Sequence, residues 1–232
     1  MKTRLKYIIG GMILAVALAL GGFLVYAGDY YRCGPVAGAM IDDPDLIRFD
    51  NGDIYLEAGA GGSDKLIIFY PGGKVGYEAY LPMAKMIADQ GIGVVVCKMP
   101  FNLAVFDKDR AQKYLDRFDS DTSIYLMGHS LGGAMASSFA SEHQDDVAGL
   151  ILLGSYLYGS YPVESQLTIY GSNDLVLNRS KIDYTSNVVV IDGGNHSGFG
   201  DYGPQKGDGV AEISSQQQQV LTVSAILEFI RG

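Results

Sequence analysis

Residues 123–143 read SIYLMGHSLGGAMASSFASEH: an apolar run, a serine framed by glycines, then a stretch with helical spacing. The pentad Gly128-His129-Ser130-Leu131-Gly132 has the form G-x-S-x-G. A chain needs that form where a strand turns sharply into a helix with serine at the apex, because only small residues on either side let the two backbones pass. In a sequence with 31 glycines the pentad alone carries little weight. Its flanks carry more. "SIYLM" suits a strand entering Gly128 and "LGGAMASSFASEH" a helix leaving Ser130, so Ser130 is the expected nucleophile.

The same texture extends in both directions. "KLIIFY", "GVVVCKM", "VAGLILLGSY", "QLTIYGS" and "NVVVIDGG" are short apolar runs, and helical patterns cover Tyr77 to Gln90, Lys108 to Phe118, Leu131 to His143 and Gln216 to Arg231, the last with Ser214 or Ser215 as its cap. Strands that are apolar on both faces and alternate with helices make a mostly parallel sheet covered on both sides, which places the chain in the α/β class. Upstream, Leu46 to Phe49 and Ile54 to Glu57 flank Asn51-Gly52, a turn signal for a hairpin of antiparallel edge strands. There are no internal repeats.

With 232 residues and 48% hydrophobic side chains, the chain has room for one α/β domain and an appendage. Tyr7 to Gly28 carries no charge and is long enough to cross the ~30 Å hydrocarbon layer as a helix. Lys2, Arg4 and Lys6 precede it, which predicts a cytoplasmic tail over 1–6, an anchor over 7–28, a stalk over 29–45 and an exported domain over 46–232. Val25-Tyr26-Ala27 would suit a signal peptidase, in which case the domain is secreted, but the apolar stretch outruns the 7 to 15 residues usual for a cleaved signal. Residue 28 onward holds 14 basic and 26 acidic side chains, a net of −12, which disfavours nucleic acid or anionic lipid as partners. Two cysteines make no disulfide framework: Cys97 reads as a core residue and Cys33 as part of the stalk.

A serine hydroxyl is a poor nucleophile at neutral pH and needs a neutral imidazole, which in turn needs an acid to fix its tautomer. Of the three histidines, His129 adjoins the serine with its side chain pointing elsewhere, and His143 ends an exposed helix. His196, after the strand "NVVVIDGG", is the expected base. Asp174, in the loop after "LTIYGS", is the expected acid, with Asp192 as its rival and Asn173 as a cap for a following helix. The oxyanion needs two N–H donors: one from Leu131 at the start of its helix, the other from Gly73 or Lys74 in "FYPGGKV".

These motifs together, "FYPGGKV", "GHSLGGAMA", "YGSND" and "GGNHSGFGDYG", resemble the α/β-hydrolase superfamily, and more narrowly its compact dienelactone-hydrolase-like members, over about residues 63 to 231. The chain also resembles bacterial membrane-tethered members carrying "PGGKV" and "GDYG". The resemblance implies Ser130 as nucleophile, Asp174 as acid, His196 as base and Gly73 or Lys74 as oxyanion donor, without cofactor or metal. Pro71-Gly72 stands where the superfamily commonly has His-Gly. Residues 131–173 are taken up by a helix and two strands, so no cap domain fits between nucleophile and acid. An open groove walled by Phe101, Asn102, Leu103 and Tyr156, with Tyr77 and the loop 198–209 nearby, suits a small-molecule ester with a short acyl group. Acyl transfer to a cell-envelope hydroxyl would use the same residues, and a non-catalytic binding domain could keep the same fold.

Overall fold

The computed structural model describes residues 2–43, 46–59, 64–118 and 121–232. Pro44 and Asp45, at the end of the expected stalk, and Ser63, where the family resemblance begins, lie outside the described residues. The chain divides into two units, Met1–Tyr30 and Tyr31–Gly232. The first is a helix, α1 (Lys2–Gly28), whose stretch Lys6–Gly28 is apolar and long enough to cross a membrane.

The second unit begins earlier than expected, because the segment read as a stalk is packed into it. Tyr31 bridges Val75 in parallel, and α2 (Pro35–Ile41) buries Ala37. The Asp201 carboxylate receives the Ala37 N–H at 2.8 Å, and Cys33, Met40 and Ile41 lie against the core. Nothing in the local pattern of 31–43 announces these partners, since Val75 lies 44 residues from Tyr31 and Asp201 lies 164 residues from Ala37.

Eight strands then form one sheet: β1 (Arg48–Asp50), β2 (Asp53–Leu56), β3 (Lys65–Tyr70), β4 (Gly93–Val96), β5 (Ser123–His129), β6 (Gly149–Leu153), β7 (Gln166–Gly171) and β8 (Val188–Ile191). Their order is β1-β2-β4-β3-β5-β6-β7-β8, with β1 and β2 antiparallel and the remaining six parallel. The hairpin forms at Asn51-Gly52, with φ of 52° and 91° there, and its two-residue turn sets Asp50 opposite Asp53. That register moves the first strand two residues beyond the expected start at Leu46, and β2, paired on to β4, is interior, leaving β1 as the edge.

Helices cover both faces: α3 (Leu81–Ala88), α4 (Gln112–Leu115), α5 (Leu131–Glu142) and α6 (Ser215–Arg231). The Ser214 hydroxyl caps α6 by accepting from the Gln217 N–H, as one of the two expected caps. Tyr77–Tyr80 is a 3-10 turn leading into α3. The helix expected over Lys108 to Phe118 contracts to α4, because that stretch is drawn onto a buried carboxylate. Asp53, wholly buried, accepts from Arg110, Lys113, the Tyr114 hydroxyl and the Lys98 N–H. Burial pushes its pKa up, but these bonds together outweigh burial and hold it below the usual value. Cys97, beside it in the core, is a free thiol raised well above its usual pKa by burial.

Removing one member of a buried charge network strands its partners, so Asp53→Ala is expected to lower unfolding stability by about 3 kcal/mol in urea titration. A loss under about 1 kcal/mol would mean that the cluster is solvated and contributes as an ordinary surface pair.

Candidate active site

The site is built at the C-terminal end of β5. The chain leaves that strand and enters α5 through Ser130, whose φ of 53° and ψ of −121° lie in a region that non-glycine residues rarely occupy. Such strain costs on the order of 1–3 kcal/mol and persists only where the surroundings impose it. Here they do. The Ser130 N–H donates to the Leu153 carbonyl at 2.9 Å, and the Ser130 carbonyl accepts from the Ser155 hydroxyl at 3.0 Å. A Cβ on Gly132 would overlap the carbonyl oxygens of Tyr70 and Pro71, and one on Gly128 would run into the backbone of Gly132 and Gly133. The glycines of the pentad are thus required by backbone contact, as the sequence pattern implied.

His196 and Asp174 come together from the loops after β8 and β7. His196 Nδ1 lies 2.8 Å from Asp174 Oδ2, and both side chains are buried. The other carboxylate oxygen of Asp174 accepts from the Val176 and Leu177 N–H groups at 2.9 and 2.8 Å, which fixes the orientation of the carboxylate. With Nδ1 facing a carboxylate, that nitrogen carries the hydrogen and Nε2 is left with its lone pair. Among the described residues Nε2 has no hydrogen-bond partner although it is buried, so no bond joins it to Ser130 in this state. Gly154, at a φ of 50°, leaves room for the pair, since a Cβ there would stand 2.9 Å from His196 Nδ1.

Asp192 is exposed and, among the described residues, meets the Ser172 hydroxyl at 3.4 Å, whereas the carboxylate on His196 Nδ1 is that of Asp174. Asn173 caps no helix: its amide donates to the Val210 carbonyl and to Glu212, and the next helical turn is capped by Asn178. His143 stacks on Phe139 with ring centroids 4.1 Å apart and takes no part in the site.

Leu131 opens α5, and a first-turn amide has no acceptor within its own helix. Across from it, a Cβ on Gly73 would stand 2.9 Å from the Leu131 side chain, so the two stretches are neighbours. Lys74 has a φ of 60°, and its N–H is spent on the Asn102 carbonyl at 2.8 Å. Of the two donors expected from this loop, the Gly73 N–H is the one without an acceptor among the described residues. Phe101 and Asn102 both have a φ of 56°, which turns Phe101 outward to half exposure while Leu103 is buried and Tyr156 half-buried. Tyr77, expected near the groove, is buried beneath Lys98.

The loop 198–209 is tied down. The Asp208 carboxylate accepts from the His196 and Ser197 N–H groups at 3.1 and 2.8 Å, and the Lys206 N–H donates to the Tyr31 hydroxyl. Gln218 of α6 pairs with both the N–H and the carbonyl of Asn195. A cavity of about 340 Å³ lies behind this loop between Asn195 and Ser215; Ser130 does not line it. Sequence reasoning missed Asp208 and Gln218, whose signal, polar residues in glycine-rich or glutamine-rich stretches, is indistinguishable from a solvated surface.

The comparisons with known proteins agree with this architecture. The model of the alpha/beta hydrolase family matches residues 66–220, and the chain belongs to that family. None of the curated proteins matches the sequence. Among solved structures, the chain is similar to a ferulic acid esterase from Streptomyces cinnamoneus, with 17% identity, a TM-score of 0.54, 73% of this chain and 67% of that one covered. It is similar to XC6422 from Xanthomonas campestris, described as a serine hydrolase without lid, with 11% identity, a TM-score of 0.52 and coverage of 77% and 87%. It is similar also to a membrane phospholipase A described as a bacterial virulence factor, with 13% identity, a TM-score of 0.54 and coverage of 98% and 100%. At these identities the likeness is one of fold.

His129 itself is fully buried, and burial first, then the neighbouring His196, holds its pKa well below the usual imidazole value. Its unfolded counterpart gains a proton near pH 6.5 while the folded one stays neutral, so its contribution to stability is intact above about pH 6.5 and is lost as pH falls below it. His129→Gln is therefore expected to flatten the decline of unfolding free energy between pH 6.5 and 5 by up to about 1.4 kcal/mol per pH unit. An unchanged slope would mean that His129 titrates normally in the folded protein.

Proposed function

We propose that the chain is a serine hydrolase that cleaves a small ester or related acyl bond through Ser130, His196 and Asp174. The observation that carries this reading is the buried Asp174–His196 pair at 2.8 Å, its Nε2 left bare, in the fold that puts a strained serine at the head of α5. In the proposed cycle the Ser130 hydroxyl attacks the acyl carbonyl and gives its proton to His196 Nε2. The carbonyl oxygen, now negative, accepts from the N–H groups of Leu131 and Gly73. His196 then hands the proton to the departing alcohol, and a water molecule activated by the same nitrogen releases the acid from Ser130. Asp174 stays ionised throughout, holding the tautomer and balancing the imidazolium.

Phe101, Asn102, Leu103 and Tyr156 would flank the acyl group. With no cap domain between β6 and β7, the wall they offer is short, so each added methylene contributes its ~0.8 kcal/mol only over the first few carbons. The similarity to a serine hydrolase without lid and to a ferulic acid esterase supports an open site acting on an ester. The apolar stretch Lys6–Gly28, preceded by a basic tail, supports an anchor with its N-terminus cytoplasmic and the hydrolase unit on the far side of the membrane; cleavage after Ala27 would release that unit instead.

The test is an acyl series of simple esters from two to twelve carbons below their micelle thresholds. Turnover by the wild type is expected to peak at about two to six carbons. Ser130→Ala should fall to near background and Asp174→Asn should lose ~10⁴-fold, while Asp192→Asn stays near wild type. Retention of more than about a tenth of wild-type turnover by Ser130→Ala would overturn the assignment of the nucleophile. A maximum at long chains would overturn the short-acyl reading.

A further inference from the structure

Behind the site, two side chains that the proposed cycle does not use form a single run of hydrogen bonds. The Gly72 N–H donates to the Tyr80 hydroxyl at 3.1 Å, that hydroxyl lies 2.8 Å from His129 Nδ1, and His129 Nε2 lies 3.1 Å from the His196 carbonyl. Both side chains are fully buried. The ends fix every proton. A carbonyl oxygen only accepts, so His129 Nε2 carries the ring hydrogen; the ring is held neutral, so Nδ1 is bare and accepts from the Tyr80 O–H. The Tyr80 oxygen then receives the Gly72 N–H. All three donors point one way, from the loop that presents Gly73 to the main chain of His196.

We propose that Tyr80 and His129 are positioning residues that lock the Pro71–Lys74 loop and the His196 loop to each other, so that the oxyanion donor and the base address the same reacting group. The proposal rests on the roles given above to Ser130, Gly73 and His196. Sterics agree with the hydrogen bonds. A Cβ on Gly72 would stand 2.7 Å from His129 Nδ1 and 2.8 Å from the Tyr80 oxygen, so the loop can close on this pair only with glycine at that position. The rings are wedged as well: His129 lies 4.6 Å from the His196 ring and Tyr80 lies 4.7 Å from the Phe69 ring, centroid to centroid. Plain core filling would ask only for apolar rings. This run instead uses every polar atom of both side chains and ends on backbone at both loops.

The deciding variant is Tyr80→Phe, which keeps the ring and removes the hydroxyl, leaving the Gly72 N–H without an acceptor and His129 Nδ1 without a donor. Competent sites are counted by saturating labelling with a serine-directed fluorophosphonate, and turnover is expressed per labelled site, so that loss of folded protein does not enter. The kcat per labelled site is expected to fall about tenfold or more with KM within about threefold, a milder effect than the ~10²–10³ of deleting an oxyanion donor itself. His129→Gln should behave alike, and the double variant should lose no more than the worse single one, because one run is broken once. A Tyr80→Phe enzyme that keeps more than about a tenth of wild-type kcat per labelled site overturns the proposal, as does additivity of the two changes. Should His129→Gln fail to fold, Tyr80→Phe decides alone. Ser130→Ala distinguishes the two levels: if it is active, the nucleophile assignment fails; if it is inactive while Tyr80→Phe is normal, only the positioning role fails.

Discussion

The passage of α5 across the ends of β3 and β5 is the contact on which the rest of the structure depends. Gly132 lies so close to the carbonyls of Tyr70 and Pro71 that no side chain fits between them, and Gly128 lies equally close to the backbone of Gly132 and Gly133. A helix pressed this tightly onto two strands leaves Ser130 no relaxed conformation, and the residue is held at a φ of 53° by bonds to Leu153 and Ser155 on either side of the turn. The same closeness brings the loop after β3 against the first turn of the helix, where Gly73 meets Leu131. Serine, helix amides and loop amide are thereby placed by one backbone contact.

What that contact does not place is His196, which arrives on the loop after the edge strand β8. Asp174 orients the imidazole, Asp208 receives the amides of His196 and Ser197, and Gln218 pairs with the backbone of Asn195. Tyr80 and His129 span the remaining distance between that loop and the one after β3. A site assembled from several loops keeps its geometry only if such supports are packed and hydrogen-bonded, since small displacements of reacting groups are costly.

Much of this was legible in the sequence, and the reason is local. The parallel strands are continuous apolar runs, the pentad carries its own steric logic, and the order of Ser130, Asp174 and His196 along the chain follows strand ends. The turn at Asn51-Gly52 was legible too, yet the strands beside it shifted, because a two-residue turn fixes pairing at Asp50 and Asp53 whatever the apolar pattern suggests. What was hidden depends on partners distant in sequence. The helix expected over Lys108 to Phe118 shortened because Arg110, Lys113 and Tyr114 turn to Asp53, and residues 31–43 left the expected stalk because Asp201 and Val75 hold them. His129 read correctly as pointing away from the serine, but its bonds to Tyr80 and His196 join residues 49 and 67 positions away, which no local pattern announces.

The claim on which all of this turns is that Ser130 is the attacking atom's residue. Peptide mapping by mass spectrometry after fluorophosphonate treatment tests it most directly, since the reagent bonds only to an activated nucleophile and the adduct survives digestion. The account predicts one adduct per chain, on Ser130, with hydrolysis lost in step with labelling. An adduct on any other residue, or hydrolysis that continues with Ser130 fully labelled, would contradict it.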